Sequence, residues 1–572
     1  MGLRRVSRIV TGIAAFTSLA VAAPRLRLST SAVGPISVAA GGTANARPVE
    51  TYNVGDGVLN LRLASSAAWL KPSFGTQQDC LINSRCTPLQ ISVQPGTLAR
   101  GTYTGIITVS DPAAIDSPQD ITVTIQVGGG VPDRLDLFAA PNGPPVETKF
   151  TTNSELDWTV NGLPAVTLLL EGSGSFRFVY PYRITVNPRG LNEGSYNGTI
   201  VTSRSKLSSD NKSIPVALRV TSQPIGQLSQ EQVRFRIAQN SVKQTEFVSV
   251  NNRGLGTLSI SGATPITASG GNWLTAEKPL SFGGVAITAD PSGMAPGTYQ
   301  GSVAIASNAA NTLTVPVQLE VLAPGPARTF YGGVGNNATY DPDDVIAQGG
   351  IVAAFGEQFT AAPPTSASKL PLTTELNGTR VFVNGQPAPI FYSSYKQVNF
   401  QIPFDAALGQ GTVRVDREGQ AGNLVSINIV RGAPRILLSG LKEYGIVLNE
   451  DQTYAMPVTP GVPSHPAKAG SALVIYALGL GPATPAVLSG EASPGAEPLA
   501  RVSTTSRVFF GGGLFSDRNV EAKPFFVGLA PNFVGLYQIN VIVPDSSPTG
   551  PEVTLKVGGD DGASNSVKIA IE

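Results

Sequence analysis

One phrase, repeated at domain-sized intervals, constrains this chain more than any other feature. It reads "GTYTGIITV" at 101–109, "GSYNGTIVT" at 194–202 and "GTYQGSVAI" at 297–305, with leading glycines 93 and 103 residues apart. Each copy follows a short run ending in proline: "ISVQP" (91–95), "ITVNP" (184–188) and "ITADP" (287–291). Each precedes an alternating run: "ITVTIQV" (121–127), "IPVALRV" (214–220) and "VPVQLEV" (315–321). Period-two alternation marks a strand with one face on a core. The chain's three tryptophans, Trp69, Trp158 and Trp273, stand one upstream in each copy. One Trp, one Gly-x-Tyr-x-Gly and one closing strand per repeat predict tandem β-sandwiches. Tyr103, Tyr196 and Tyr299 sit where a loop enters a strand, the place of a tyrosine corner. The tryptophans are expected as core anchors. Stacking on sugar is the alternative, and recurrence in every module favours the core.

The C-terminal half contains a second duplication. "YKQVNFQIPFDAALG" (395–409) and "YQINVIVPDSSPTG" (537–550) keep the same order of Gln, Asn, Pro and Gly. "TRVFVNG" (379–385) and "SRVFFGG" (506–512) precede them, and "GGIVAAFGEQF" (349–359) parallels "GSALVIYALGLG" (470–481). A whole domain is therefore duplicated. Gln397 and Asn399 lie two apart on a strand and share a face, as do Gln538 and Asn540. Either the amides satisfy a neighbouring loop's backbone or they meet a ligand. Recurrence in two domains that need not share a ligand favours the structural role.

These phrases carry resemblances. The "WL" pair, the strand ending in Pro, the Gly-[Ser/Thr]-Tyr-x-Gly phrase and the closing strand together resemble the BACON family of immunoglobulin-like modules, over roughly residues 24–323. The second copy departs from that pattern, because Thr159 follows Trp158. "FVGLAPNFVGLYQINVIVP" (526–544) resembles a Solibacter-type C-terminal family, and both C-terminal units resemble IPT/TIG immunoglobulin-like domains. The resemblances imply export, β-sandwiches, and either contact with carbohydrate or a spacer role. They imply no established activity.

Composition agrees with many short strands. The 572 residues include 63 glycines and 45 prolines, yet 41% are apolar. Charge is balanced, with 40 Lys and Arg against 39 Asp and Glu, so nothing announces nucleic acid or anionic lipid. Arg4, Arg5 and Arg8 precede an apolar run at 9–23, and Ala20-Val21-Ala22 fits a cleavage site. A signal peptide over 1–22 is expected, with no membrane span after its removal. In an oxidising compartment Cys80 and Cys86 are expected to pair as a disulfide.

Catalytic signals are sparse. The single histidine, His465, stands in "PSHPAK" without a nucleophile elbow. No Walker pattern occurs, and the acidic turns at Asp341, Asp343, Asp344 and at Asp560, Asp561 lack calcium-loop grammar. No cofactor and no metal are expected. The sharpest surface candidate is "FRFVYPYR" (176–183), where Phe176, Phe178, Tyr180 and Tyr182 alternate on one face. That face is either a platform for sugar rings or a core face, and the arginines opposite favour the core.

The reading is an all-β, extended string of tandem immunoglobulin-like β-sandwiches. Its divisions are a signal peptide at 1–22, BACON-like units at 23–128, 129–223 and 224–325, an IPT/TIG-like unit at 326–432 and a Solibacter-type unit at 433–572. The expected function is that of an exported, non-catalytic adhesion or carbohydrate-contact protein. The alternative is a spacer or scaffold of the cell envelope, and a polysaccharide-acting enzyme comes last. The partners this allows are polysaccharide, glycoprotein or cell-envelope protein.

Overall fold

The computed structural model describes residues 23–80, 85–163, 166–171, 179–279, 282–341, 345–441, 443–503, 506–511, 519–560 and 562–572. The expected signal peptide lies outside these, as do Phe176, Phe178, Asp343, Asp344 and Asp561. Among the described residues the one helix is a three-residue 3-10 turn, Ser208–Asp210, and the rest of the regular structure is β. The chain is an array of immunoglobulin-like β-sandwiches, each built from two sheets.

In the first unit, Ala32–Val38, Gln119–Val127, Gly101–Ser110 and Arg62–Ser65 form one sheet. Leu26–Leu28, Val49–Asn53, Thr87–Val93 and Ala44–Asn45 form the other, with Leu70–Phe74 also on Thr87–Val93. The alternation read from sequence is what closes the sandwich: Ile121, Val123, Ile125 and Val127 are all fully buried. The second and third units repeat the plan. Gly101, Gly194 and Gly297 lie opposite Val127, Val220 and Val321, so all three closing hairpins share one register. An early strand of each unit also runs parallel to the closing strand: Ala32–Val38, Leu135–Ala139 and Val233–Ala238.

The fourth unit pairs Arg328–Asn336, Ile351–Glu357, Gln397–Gln401, Ile390–Ser393 and Thr365–Ser366 in one sheet, over a second sheet that holds Thr379–Val383, Gly409–Arg417 and Leu424–Val430. The fifth sets Ala472–Leu478 and Tyr537–Ile542 against Ser506–Phe510, Gly550–Gly559 and Val567–Ile571.

Two features make the string stiffer and more compact than a chain of loose beads. The Gly-rich joint at 128–131 is pinned, because the Val131 N–H donates to Asp210 Oδ1 at 3.0 Å and Arg100 Nη2 donates to the Val131 carbonyl at 2.6 Å. The tandem order also turns back on itself. The Asp116 N–H of the first unit donates to the Leu424 carbonyl of the fourth at 2.8 Å, and Arg234 of the third reaches Thr104 of the first at 2.6 Å.

Candidate functional site

The repeat anchors occupy equivalent places. The Tyr103, Tyr196 and Tyr299 hydroxyls each donate to the carbonyl four residues upstream, on Ala99, Asn192 and Ala295, at 2.9 Å in every case. Trp273 is buried and donates through Nε1 to the Ser269 carbonyl at 2.9 Å, while Trp69 and Trp158 are half-buried against their cores. The second glycine of each phrase makes room for its neighbours. A Cβ on Gly105 would stand 3.0 Å from the Trp69 ring, and one on Gly301 would stand 3.3 Å from the Trp273 ring. In the second unit the same glycine, Gly198, faces Leu163 instead of Trp158, which is where the sequence pattern departs.

The aromatic platform needs correction. Tyr182 is fully buried at the centre of the second unit's core. Phe150 stacks on it at 5.3 Å and Trp158 meets it edge-on at 5.7 Å. Its hydroxyl accepts from the Leu156 N–H at 2.6 Å, and burial pushes its pKa up. Tyr180 packs half-buried against the same core. The described part of the ladder therefore faces inward, because the opposite face carries Arg183, which pairs with Glu147 and Glu171.

The Gln-x-Asn amides bond to each other rather than to a neighbouring loop. Gln397 Nε2 donates to Asn399 Oδ1 at 2.8 Å, and Gln538 Nε2 donates to Asn540 Oδ1 at 2.9 Å. Each pair satisfies itself along one sheet face while Val398 and Phe400, or Ile539 and Val541, fill the core. The loop-backbone role expected for them is corrected accordingly: side chains two apart on a strand stand close enough to bond each other. Cys80 and Cys86 are joined, with Cα atoms 5.9 Å apart. Glu50 lies beside them, but both sulfurs are committed to each other. His465 is held by Asp451 Oδ2 at 3.0 Å through Nε2 and by the Pro466 carbonyl at 2.7 Å through Nδ1, so neither ring nitrogen is directed at a nucleophile.

The most elaborate polar constellation lies where the first, third and fourth units meet. Asp116, fully buried, accepts from the Ser426 N–H at 2.7 Å and the Ser426 hydroxyl at 2.9 Å, and pairs with Arg27 at 2.5 Å. Four residues on, Asp120 pairs with Arg236 of the third unit at 3.0 Å and Arg328 of the fourth at 2.9 Å. Arg236 also reaches Glu320 at 3.1 Å and Glu357 at 3.2 Å. Burial pushes the Asp120 carboxyl up, but Arg328 and Arg236 outweigh it and hold the group below its ordinary value. At Glu357 burial wins over the same two arginines, and the pKa rises.

Phe330 and Tyr331 stand at the rim, 39% and 47% exposed. The Arg27 guanidinium lies 4.4 Å above the Tyr331 ring. Tyr331 borders two clefts, one of about 210 Å³ with Arg25, Gln410 and Asn428, and one of about 280 Å³ with Gln119, Arg236 and Phe330. Arg25, Arg27, Arg236 and Arg328 balance Asp116, Asp120, Glu320 and Glu357, so the constellation is no anion trap. It can hold three domains together and offer two aromatic faces beside hydrogen-bonding side chains. Sequence reasoning missed it because Asp116 and Ser426 are 310 residues apart and no local pattern links them.

The fold thus defines a tandem immunoglobulin-like β-sandwich protein. No family model and no curated protein match the chain. Among solved structures it is similar to an endo-fucoidan hydrolase of glycoside hydrolase family 107, at 14% identity over 53% of this chain and 45% of that one, with a TM-score of 0.19. It is also similar to the N-terminal eight immunoglobulin domains of Down Syndrome Cell Adhesion Molecule, at 9% identity over 94% of this chain and 67% of that one (TM-score 0.16). Sidekick-1 immunoglobulin domains 1–5 overlap at 10% identity over 96% and 99% of the two chains (TM-score 0.16). The chain spans less than half the length of the hydrolase. Scores this low carry no argument about activity.

Proposed function

We propose that the chain is an exported, non-catalytic surface or extracellular protein that contacts glycan at the three-domain junction. The N-terminal units are of the BACON kind, and the C-terminal pair is of the Solibacter and IPT/TIG kind. The observation that carries the reading is the exposed Phe330–Tyr331 pair, flanked by two clefts lined with Gln410, Asn428, Gln119 and arginines. Sugar rings stack on aromatic faces while their hydroxyls bond to side chains such as these. A catalytic carboxylate pair is disfavoured, because Asp120 and Glu357 are each tied to two arginines.

The test is a panel of polysaccharides and glycans probed with the purified chain and with Phe330→Ala/Tyr331→Ala. Both rings are partly exposed, so the variant is expected to fold. Binding by the wild type that is lost in the folded variant supports the reading. Binding that survives it removes the junction from the glycan role. The second reading is a spacer or scaffold, favoured by the pinned joint at Val131 and the balanced charges of the junction. No glycan bound anywhere on the panel would select it.

A further inference from the structure

The junction between the fourth and fifth units is tied by hydrogen bonds but not filled. Gln401, fully buried, ties the two together: its Nε2 donates to the Gly349 carbonyl at 3.1 Å and its Oε1 accepts from the Gly490 N–H at 2.7 Å. The Leu372 N–H donates to the Gly490 carbonyl at 2.8 Å, and the Phe404 N–H donates to Ser489 Oγ at 3.0 Å. Gly535 closes the seat, since a Cβ there would stand 3.0 Å from Gln401 Nε2 and 3.2 Å from Ile351 Cγ1, on a backbone with φ of +63°. Beside these contacts a cavity of about 570 Å³ remains. Its apolar wall includes Leu372, Phe391, Leu478, Val534 and Leu536, and the exposed Lys369 also lines it.

The duplication explains why this junction is open. Aligning Gln397 with Gln538 places Tyr395 opposite Leu536. At the junction between the third and fourth units, Tyr395 is buried within the third unit's core and its hydroxyl accepts from the Ala238 N–H at 2.7 Å. At the next junction Leu536 takes the same sequence place, without the ring or the hydroxyl, and lines empty space. Leu370 and Phe533, both 55% exposed, leave further apolar surface at the mouth. The volume lies in the ~300–1,000 Å³ range of small-molecule sites, which favour domain interfaces and apolar linings with a few polar groups. Among the described residues no carboxylate pairs with Lys369.

We propose that this cavity binds a small amphipathic carboxylate. Its apolar body lies against Leu372, Leu478, Val534 and Leu536, and its carboxylate meets the Lys369 ammonium. Apolar burial supplies the affinity, and the lysine selects an anionic head over a neutral one.

The probe is decanoate, with decanol as its neutral counterpart, titrated into the purified chain by calorimetry. Decanoate is expected to bind, and Lys369→Met is expected to weaken it about fivefold while leaving decanol unchanged, since the exposed ammonium adds ~1 kcal/mol; equal decanoate affinity in the two proteins overturns the carboxylate's place at Lys369. Leu536→Tyr restores the ring found at the other junction and should abolish binding of both. If that variant does not fold, Ala367→Phe fills the cavity from its edge and should do the same. No decanoate binding to the wild type at millimolar concentration overturns the proposal, as does binding that persists in a folded, filled variant. Concentration-dependent dimerisation that Leu536→Tyr removes would put a second copy of the chain at this surface and also overturn it.

Discussion

Tyr182 shows how much one residue can decide. Truncating it to alanine removes a ring packed between Phe150 and Trp158 and should destabilise the second unit by about 3–5 kcal/mol, read from denaturant midpoints. Tyr182→Phe keeps the ring but leaves the Leu156 N–H without its acceptor, at a cost of about 1–3 kcal/mol. His465 is a second single-residue case. The Pro466 carbonyl and then Asp451 hold its pKa above 6.5, while Thr453 and then His465 lower Asp451 to about 2. A raised histidine contributes stability below its unfolded value and loses it as pH rises through the folded one. A lowered carboxylate contributes above 3.8 and loses its share as pH falls through about 2. NMR titration of the imidazole should give a midpoint above 6.5 that falls in Asp451→Asn, and an unshifted midpoint in the wild type would refute the pairing.

At the scale of elements, the motif Gly-x-Tyr-x-Gly is now a set of contacts. The tyrosine ties the strand to the loop behind it, and the second glycine admits a ring or a leucine. Gly301→Ala should therefore destabilise the third unit, because its Cβ would lie 2.8 Å from the Ile266 carbonyl oxygen and 3.0 Å from a Leu274 methyl. Tyr299→Phe, which loses one half-exposed hydrogen bond, should cost only about 0.5–1.5 kcal/mol. Comparing the two thermal midpoints checks the ranking. Elements of this kind were legible in the sequence because alternation and repetition are local. Strand pairing within each closing hairpin needs only a turn and two periodic runs. The aromatic face was legible in part: alternation puts Tyr180 and Tyr182 on one face, the arginines opposite favoured the core for it, and Tyr182 is buried there, which leaves no sugar platform at these two residues. The Gln-x-Asn face was legible, whereas its bonding partner depended on side-chain reach. The three-domain junction left no local trace at all.

At the scale of the whole molecule, the junction sets shape. Arg236→Met would leave Asp120, Glu320 and Glu357 sharing one fewer cation; the groups are part-exposed and Arg328 still pairs with Asp120 and Glu357, so the cost is about 1–3 kcal/mol, below that of breaking a fully buried pair. Small-angle scattering should show a larger radius of gyration for the variant while each sandwich keeps its fold. Acid should act through Asp120 in the same direction. Its pKa is held below 3.8, so its contribution is complete above that value and is lost as pH falls through the lower, folded one. The parallel pairing of early and closing strands carries a different consequence. In each of the first three units the strand nearest the entry to the sheet lies beside the strand that leaves it, with five, five and six residue pairs, the first set interrupted by a bulge between Val33 and Ile36. Tension applied to the ends of such a unit slides the two strands past one another, so their bonds share the load and fail together. Among the described residues of the fourth unit there are two such pairs, Ile346 with Ile429 and Ala347 with Val430. Under tension the first three units should therefore open at higher force than the fourth, an order that single-molecule stretching of the chain would read directly.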